Sequence, residues 1–415
     1  MPAARIDGAT RAVSPCAPVL AAFDPPAAPL DELPWRHFNS LAGQWDAMPT
    51  FAVGELLFAT CAVLALVHAT RCGRDHLLIW IAALVAGTAN DQIFMALPLV
   101  NNFWQAQATV MLTARMPLYI PLVYVCFMYY PAVAACRAGL GRWATGALTG
   151  LLASLFYAPY DIVGAKFLWW SWHDTDPPIA ARILGAPVGS TLWVLTFVAV
   201  FGVLLYGIAP PEHARRPEDT ASPSLTRMAL GLALLAATCT PLMMVQMTVL
   251  QQLDGGTPGY VALAVATVIY AAIAITGLRA RAGSPSHRRP HDGLALAAVL
   301  LYALTLPVIM AVGRPETHRS LGVHQELGPC YVEAKDITGQ TRFQYLCATD
   351  FAEDFDFSCA PAPEGHARWY TICGRAHSQF AAWMAGVALL GLAIAGAFAA
   401  LFGGLAGPAT DRRAG

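Results

Sequence analysis

The sequence predicts an all-α fold, a polytopic membrane helical bundle of about nine transmembrane helices with a small disulfide-bonded outer loop domain. Two features of the composition predict this fold. Hydrophobic residues make up 57% of the 415 residues and charged residues only 12%, which is more apolar surface than a soluble core of this length could bury. In addition, apolar runs of about 20 residues, the length that crosses the hydrocarbon of a bilayer, recur along the chain.

Each apolar run is predicted to form a membrane-spanning helix, because backbone groups in lipid must find their hydrogen-bond partners within the segment. The runs are continuous rather than alternating, which excludes a transmembrane β-barrel. The predicted spans are 51–70, 77–99, 109–135, 143–164, 188–209, 227–250, 258–279, 293–313 and 378–403.

Arginines orient the bundle, because they concentrate in the connections that follow odd-numbered spans, and the positive-inside rule places such connections in the cytosol. These arginines are Arg71, Arg74, Arg137, Arg142, Arg215, Arg216, Arg279, Arg281, Arg288, Arg289, Arg412 and Arg413. An integral protein of the plasma membrane or an endomembrane is therefore predicted, with its N-terminus outside the cytosol and its C-terminus inside.

The predicted orientation divides the chain into five parts. Residues 1–48 lack the basic start and apolar core of a cleavable signal peptide, and their Ala- and Pro-rich composition predicts a disordered tail outside the cytosol. The parts that follow are a membrane bundle over 49–313, an outer loop over 314–377, the last span over 378–403 and a cytosolic tail over 404–415.

The outer loop carries an even set of cysteines, namely Cys330, Cys347, Cys359 and Cys373. An even number in an oxidising compartment predicts two disulfides, and the spacing leaves all three pairings open. Four free thiols or a zinc site are the alternative, although the loop has no CxxC spacing.

The stretch KFLWWSWHDTDPP, residues 166–178, begins the outer connection between the fourth and fifth spans, and we place its polar loop at 169–187. Its tryptophans suit the membrane–water boundary, where an indole keeps its apolar body in lipid and its N–H near water, so an interfacial anchor is one interpretation. Asp176 before Pro177 is typical of a helix start, which predicts a short helix over PPIAARIL. Capping a helix needs only one aspartate, so the additional ionisable groups in this stretch favour a functional site.

Ionisable side chains inside the predicted spans fall in the outer half of the membrane. Charges in lipid are costly unless they are paired, so such residues indicate function. Together with a neighbouring amide, they are Glu55, Asn90, Asp91, Arg115, Asp161 and Lys166. Arg115 keeps its proton in proteins, and we expect Asp91 or Asp161 to pair with it. Two interpretations stay open: an ion-pair network that joins four helices, and a polar pocket in spans one to four that opens outward beneath the WWSWHDTDP connection.

The pocket interpretation assigns roles to two groups of residues. The predicted acid–base residues are Asp91, Asp161, His173, Asp174 and Asp176. The predicted substrate-binding residues are Asn90, Arg115, Lys166, Trp169, Trp170 and Trp172. Histidine titrates near neutral pH and a shielded carboxyl group keeps its proton more readily, so these groups suit hydration, hydrolysis or isomerisation of a lipid or isoprenoid.

Other site types lack support in the sequence. A metal site around His173 would have only one histidine, so we predict no metal. Signatures of a Ser-His-Asp triad, a phosphate-binding loop or a dinucleotide site are missing, and the cofactor stays unknown. Membrane lipid is the expected partner, whereas the net charge of −1 excludes nucleic acid, which requires a basic face.

The segments PYDIVGAKFLWWSWHDTDPPIAARILGAP and AGTANDQIFMALPLVNNFWQAQATVMLTARMPLYIPLVY resemble an uncharacterised family of multi-pass membrane proteins. Its members share the run K-F-L-W-W-[ST]-W-H-D-T-D-P, and the resemblance covers spans two to five. It implies membership of that family and no particular activity.

A second resemblance is to the carotenoid 1,2-hydratase-type membrane enzymes, in which an aspartate precedes W-x-W and G-x-P. The matching positions here are Asp161, Trp170, Trp172, Gly185 and Pro187. The sequence departs from that pattern after the proline, where only VGSTLW follows, and in the inserted HDTDP. This resemblance implies hydration of an isoprenoid.

A non-enzymatic membrane protein, either a transporter or a receptor-like scaffold whose outer loop meets a partner, is the alternative function. A transporter would require a polar path through the membrane. Gln246 is the one obvious polar residue deep in the later spans, so we favour the enzyme.

Overall fold

The computed structural model describes residues 36–97, 99–100, 103–173, 175–210, 225–281, 291–347, 349, 354–360 and 365–403. Within these residues, nine helices are long and apolar enough to cross a membrane, and the predicted helical membrane bundle is confirmed. Most of the predicted N-terminal tail, the predicted C-terminal tail and Asp174 lie outside the described residues.

A short helix, α1 (Leu41–Ala47), precedes the membrane helices. The membrane helices are α2 (Pro49–Cys72), α3 (Arg74–Ala96), α4 (Tyr119–Arg137), α5 (Arg142–Lys166), α6 (Val188–Ile208), α7 (Leu225–Leu250), α8 (Tyr260–Arg281), α9 (Gly293–Val312) and α10 (Phe380–Phe402). The central helix is α4, with 89% of its apolar stretch buried, whereas 17% of that of α8 is buried.

The third predicted span starts too early, because α4 begins at Tyr119 and not near residue 109. The intervening residues form a tight turn, in which Leu112 N donates to Met116 O over 2.8 Å and Met116 N donates to Thr113 Oγ1 over 3.0 Å. Pro117 also disfavours the helical conformation of the residue before it. Arg115 therefore lies in a connection and not inside a span.

Short strands occupy the connections at one end of the bundle. They are β1 (Phe103–Gln105), β2 (Trp170–Trp172), β3 (Arg182–Ile183), β4 (Ala186–Pro187), β5 (Arg319–Val323), β6 (Leu327–Gly328), β7 (Glu333–Lys335), β8 (Thr341–Phe343), β9 (Leu346–Cys347), β10 (Phe355–Asp356) and β11 (Trp369–Gly374). We call the described residues of these connections, 97–118, 167–187, 251–259 and 313–379, the cap.

The cap contains several small sheets. Antiparallel pairs are formed by β1 with β2, β3 with β4 and β7 with β8, while β6 and β9 pair in parallel. A three-stranded sheet has the order β10-β11-β5. The hydrogen bond from Gln107 N to Leu321 O, 2.8 Å, joins the first connection to this sheet, so separate connections form one layer over the helices.

The predicted disulfides of the outer loop are confirmed, and the structure resolves their pairing. Cys330 pairs with Cys347, and Cys359 pairs with Cys373. Each bond closes a short loop, with sequence separations of 17 and 14 residues. In the chain-entropy model, a disulfide that closes a loop of this length stabilises the fold by about 3 kcal/mol. The two disulfides thus compensate for the small apolar core of the outer loop.

Candidate functional site

A cavity lies beneath the cap, between α3, α4, α5, α6 and α7. It contains about 1130 Å³ of empty space, including its opening. Its aromatic lining residues are Phe94, Phe103, Tyr124, Phe127, Tyr157, Tyr160, Trp170, Trp172 and Trp193. Its polar lining within the bundle and the β1–β2 pair includes Asn90, Asp91, Gln105, Ser190, Thr248 and Gln251. The cavity thus involves spans two to six and is more apolar than the pocket predicted for spans one to four.

The strand pair β1–β2 forms part of the cavity wall. Opposite residues are Phe103 with Trp172 and Gln105 with Trp170, and these side chains line the cavity. Because side chains alternate along a strand, Ser171 points the other way, and its hydroxyl lies 3.4 Å from His324 Nδ1 in the cap. The alternation explains why the tryptophans at 170 and 172 share one face.

The helix α5 ends before the tryptophans because of its C-terminal cap. Leu168 has a positive φ of 58°, Trp169 N donates to Gly164 O over 2.8 Å and Leu168 N donates to Ala165 O over 3.2 Å. This pattern is a Schellman motif, which terminates a helix. The helix therefore does not continue to Trp172, and Trp169 and Trp172 do not lie on successive helical turns.

The three tryptophans are buried in the protein rather than placed against lipid. Trp169 is fully buried, and its Nε1 donates to Thr50 Oγ1 over 3.2 Å. The ring of Trp170 packs 4.6 Å from that of Tyr160. The interfacial-anchor interpretation thus gives way to a structural contact for Trp169 and to lining of the cavity for the other two.

A carboxyl group lies at the inner end of the cavity. The Tyr124 hydroxyl donates to Asp91 Oδ1 over 3.1 Å and accepts from Asn90 Nδ2 over 3.3 Å. Thr240 Oγ1 donates to Asn90 Oδ1 over 3.0 Å, which orients the amide. Among the described residues, nothing hydrogen-bonds to Asp91 Oδ2. This oxygen is available to a ligand or a proton.

Asp161 is fully buried but does not line the cavity. It lies behind the wall, near Ser190 and Tyr157. Neither of its carboxylate oxygens has a hydrogen-bond partner in the described part of the chain. The Ser190 hydroxyl therefore separates this carboxyl group from the cavity.

His173 and Asp176 lie in the cap and do not line the cavity. Burial lowers the pKa of His173 to about 4, so its ring is neutral at pH 7. Asp176 makes no helix-capping hydrogen bond, and only Pro177–Ile179 forms a short 3-10 helix. The predicted helix over PPIAARIL, with Asp176 at its start, is therefore wrong. Instead, Asp176 Oδ2 lies 2.9 Å from Arg342 Nη1, because burial favours a charged partner over solvent.

Lys166 and Arg115 occupy very different surroundings. Lys166 is fully buried, where its Nζ donates to Asp354 and lies 4.0 Å from the ring centre of Trp383. Arg115 is exposed, and it forms no ion pair with Asp91 or Asp161 among the described residues. The predicted pairing is wrong because Arg115 precedes α4 and remains hydrated.

The alternative interpretation, an ion-pair network across four helices, is also not seen among the described residues. Both oxygens of the Glu55 carboxylate accept from Thr109, the backbone N at 3.0 Å and the hydroxyl at 2.8 Å. Glu55 thereby holds the first connection of the cap. The ionisable residues that the sequence predicts to lie together are instead distributed between the cavity, other parts of the helices and the connections that form the cap.

The mouth of the cavity includes residues that sequence reasoning missed: Asp336, Thr338, Gln340 and Arg342. The first three belong to the turn between β7 and β8, and Arg342 belongs to β8. In the turn, Asp336 Oδ1 accepts from Thr338 N over 2.8 Å and from Gln340 N over 3.0 Å. Its Oδ2 lies 2.8 Å from Arg342 Nε. The segment DITGQ is typical of a hairpin turn, but no local signal indicates what it touches.

Among known protein families, residues 35–399 match the model described as Domain of unknown function (DUF7802). No curated protein and no solved structure matches the chain. The resemblance to carotenoid hydratases therefore stays a prediction.

Proposed function

The chain belongs to the DUF7802 family, whose description names no activity, and we propose from the cavity alone that this integral membrane protein binds a lipid-like molecule. One observation carries the proposal: a cavity with nine aromatic lining residues and about 1130 Å³ of empty space, including its opening, lies between membrane helices beneath the cap. Ligand sites are concave, mostly apolar and equipped with a few polar groups. The side chains of Asp91, Gln105 and Gln251 supply polar groups here.

Acid–base chemistry on such a ligand is a second function, favoured by the unpartnered Oδ2 of Asp91. A carboxyl group at hydrogen-bond reach of a bound molecule can donate or accept a proton, as hydration, hydrolysis or isomerisation requires. Of the described residues predicted for this role, Asp91 lines the cavity, whereas Asp161, His173 and Asp176 would act by positioning. Asp174 stays a prediction.

The proposed function predicts that filling the cavity displaces the ligand. Thr248 lines the cavity, while the next residue, Val249, is 66% exposed. We expect mass spectrometry of purified wild-type protein to find a lipid-like molecule, and we expect Thr248→Trp to lose it while Val249→Trp retains it. Equal retention by both variants, at equal thermal stability, would contradict binding in this cavity.

We also propose that the cap lies outside the cytosol. Two observations support this orientation: the disulfides lie in the cap, and Arg71, Arg74 and Arg137 lie at the opposite end. Disulfides persist in oxidising compartments, and basic connections favour the cytosol.

This orientation is tested in sealed vesicles whose outer face is non-cytosolic, with a membrane-impermeant maleimide. We expect labelling of the cap cysteines only after reduction. The exposed Cys72 at the opposite end serves as the control, and Cys72→Ser should leave the labelling unchanged. If the unreduced wild-type protein is labelled and this labelling is lost in Cys72→Ser, the opposite end faces outward and the proposed orientation is wrong.

A further inference from the structure

Asp91 has no charged partner among the described residues. It is buried, and its hydrogen-bond donor, the Tyr124 hydroxyl, is neutral. Asp161, behind the wall, is also buried, and Ser190 and the charge of Arg182 act on it. Of the described lining residues, Arg342 alone carries a positive charge, and it is already within 2.9 Å of Asp176 and 2.8 Å of Asp336.

The walls near Asp91 are suited to a cation. The rings of Tyr124 and Trp193 lie 6.0 Å apart, those of Phe127 and Tyr157 5.0 Å apart, and those of Tyr157 and Trp193 6.2 Å apart. The face of an aromatic ring carries partial negative charge and attracts ammonium groups, most strongly where water is excluded. These rings line the same cavity as the Asp91 carboxyl group.

From this combination we infer that the ligand is an amphipathic molecule with a positively charged amino group, which binds beside Asp91 while the apolar part follows the aromatic wall. The inference rests on the proposed lipid-like ligand and specifies its class. A protonated amine can donate to Asp91 Oδ2 and so compensates its charge. The hydroxyl of a neutral lipid can donate to that oxygen but does not compensate its charge, and an anionic lipid meets two buried carboxyl groups.

Three probes with the same chain test the charge requirement: dodecylamine, dodecanol and dodecanoate. An alkylamine is protonated at pH 7, as the lysine side chain is. Binding is measured by intrinsic tryptophan fluorescence and by thermal shift, with protein in nanodiscs of zwitterionic lipid. Empty nanodiscs correct for partition of each probe into the bilayer. Asp91→Asn is the matched variant, since its amide oxygen can still accept from Tyr124.

We expect wild-type protein to bind dodecylamine at least about tenfold more tightly than dodecanol, which corresponds to about 1.4 kcal/mol. Asp91→Asn should reduce that ratio to near one. Equal affinities for amine and alcohol in the wild type, or a preference for dodecanoate, would overturn the inference and leave lipid binding intact. If none of the three probes binds, the proposed function itself fails. The wild-type comparison decides the question even if the variant does not fold.

Discussion

Replacement of Lys166 by methionine is expected to destabilise the protein by about 3–5 kcal/mol, the usual cost of breaking a buried ion pair by removing one partner. Lys166 and Asp354 are 0% and 2% exposed. Burial would raise the pKa of Asp354, but the charges of Lys166 and Arg182 hold it below the usual aspartate range. Without Lys166, the buried carboxylate keeps the more distant Arg182, whose Nη1 lies 3.7 Å from its Oδ2.

Thermal unfolding of the purified protein measures this effect. Lys335→Met is the matched control, because Lys335 is exposed in the β7–β8 hairpin and should change stability little. The double variant Lys166→Met with Asp354→Leu removes both charges and should recover most of the loss. If the double variant is as unstable as the single one, packing against Trp383 and not the ion pair is responsible.

Arg342→Met is expected to have the second largest effect, because one guanidinium compensates two buried carboxylates at the mouth of the cavity. Asp176 is 1% and Asp336 7% exposed. Asp176 loses its charged partner and, within the described part of the chain, keeps the Phe343 N–H, 3.1 Å from Oδ1, whereas Asp336 retains its turn hydrogen bonds. We expect a loss of about 3 kcal/mol in the free energy of unfolding and faster release of the proposed lipid-like ligand.

A surface pair of the cap provides the control for Arg342. Arg368 and Glu326 form an ion pair in which the arginine side chain is 40% exposed, and Arg368→Met should cost less than about 1 kcal/mol. Combining Arg342→Met with Asp176→Asn should restore part of the stability. Denaturant unfolding that gives equal losses for Arg342→Met and Arg368→Met would show that the mouth does not depend on this contact.

The sequence predicted the membrane helices well, because crossing lipid imposes length and composition on each segment separately. All spans except the third agree with the structure to within three residues. The third failed because 109–118 is apolar enough to continue the run, yet it folds as a turn before Pro117. The two disulfides were predictable from an even cysteine count, but their pairing required the structure.

The candidate site was harder to predict, because its residues meet through the tertiary fold. Predicted depth in the membrane singled out Asp91, which lines the cavity and whose role stays a prediction. The same reasoning misplaced Arg115, whose apolar neighbours belong to the cap. Lys166 looked like a ligand-binding group because its partner, Asp354, lies 188 residues away. The tryptophans resembled an interfacial belt. The left-handed conformation of Leu168 turns them inward, and because this residue is not a glycine, nothing in the sequence indicates that conformation.

The distance along the chain between the cap contacts has a consequence for biosynthesis. Asp176 and Lys166 are made early, whereas their partners Arg342 and Asp354 follow 166 and 188 residues later. By the time the ribosome reaches these partners, the first eight membrane helices have been synthesised. The contact between Asp176 and Arg342 at the mouth therefore forms only late in translation. We expect truncation before residue 342 to leave Asp176 without its charged partner and the chain prone to degradation.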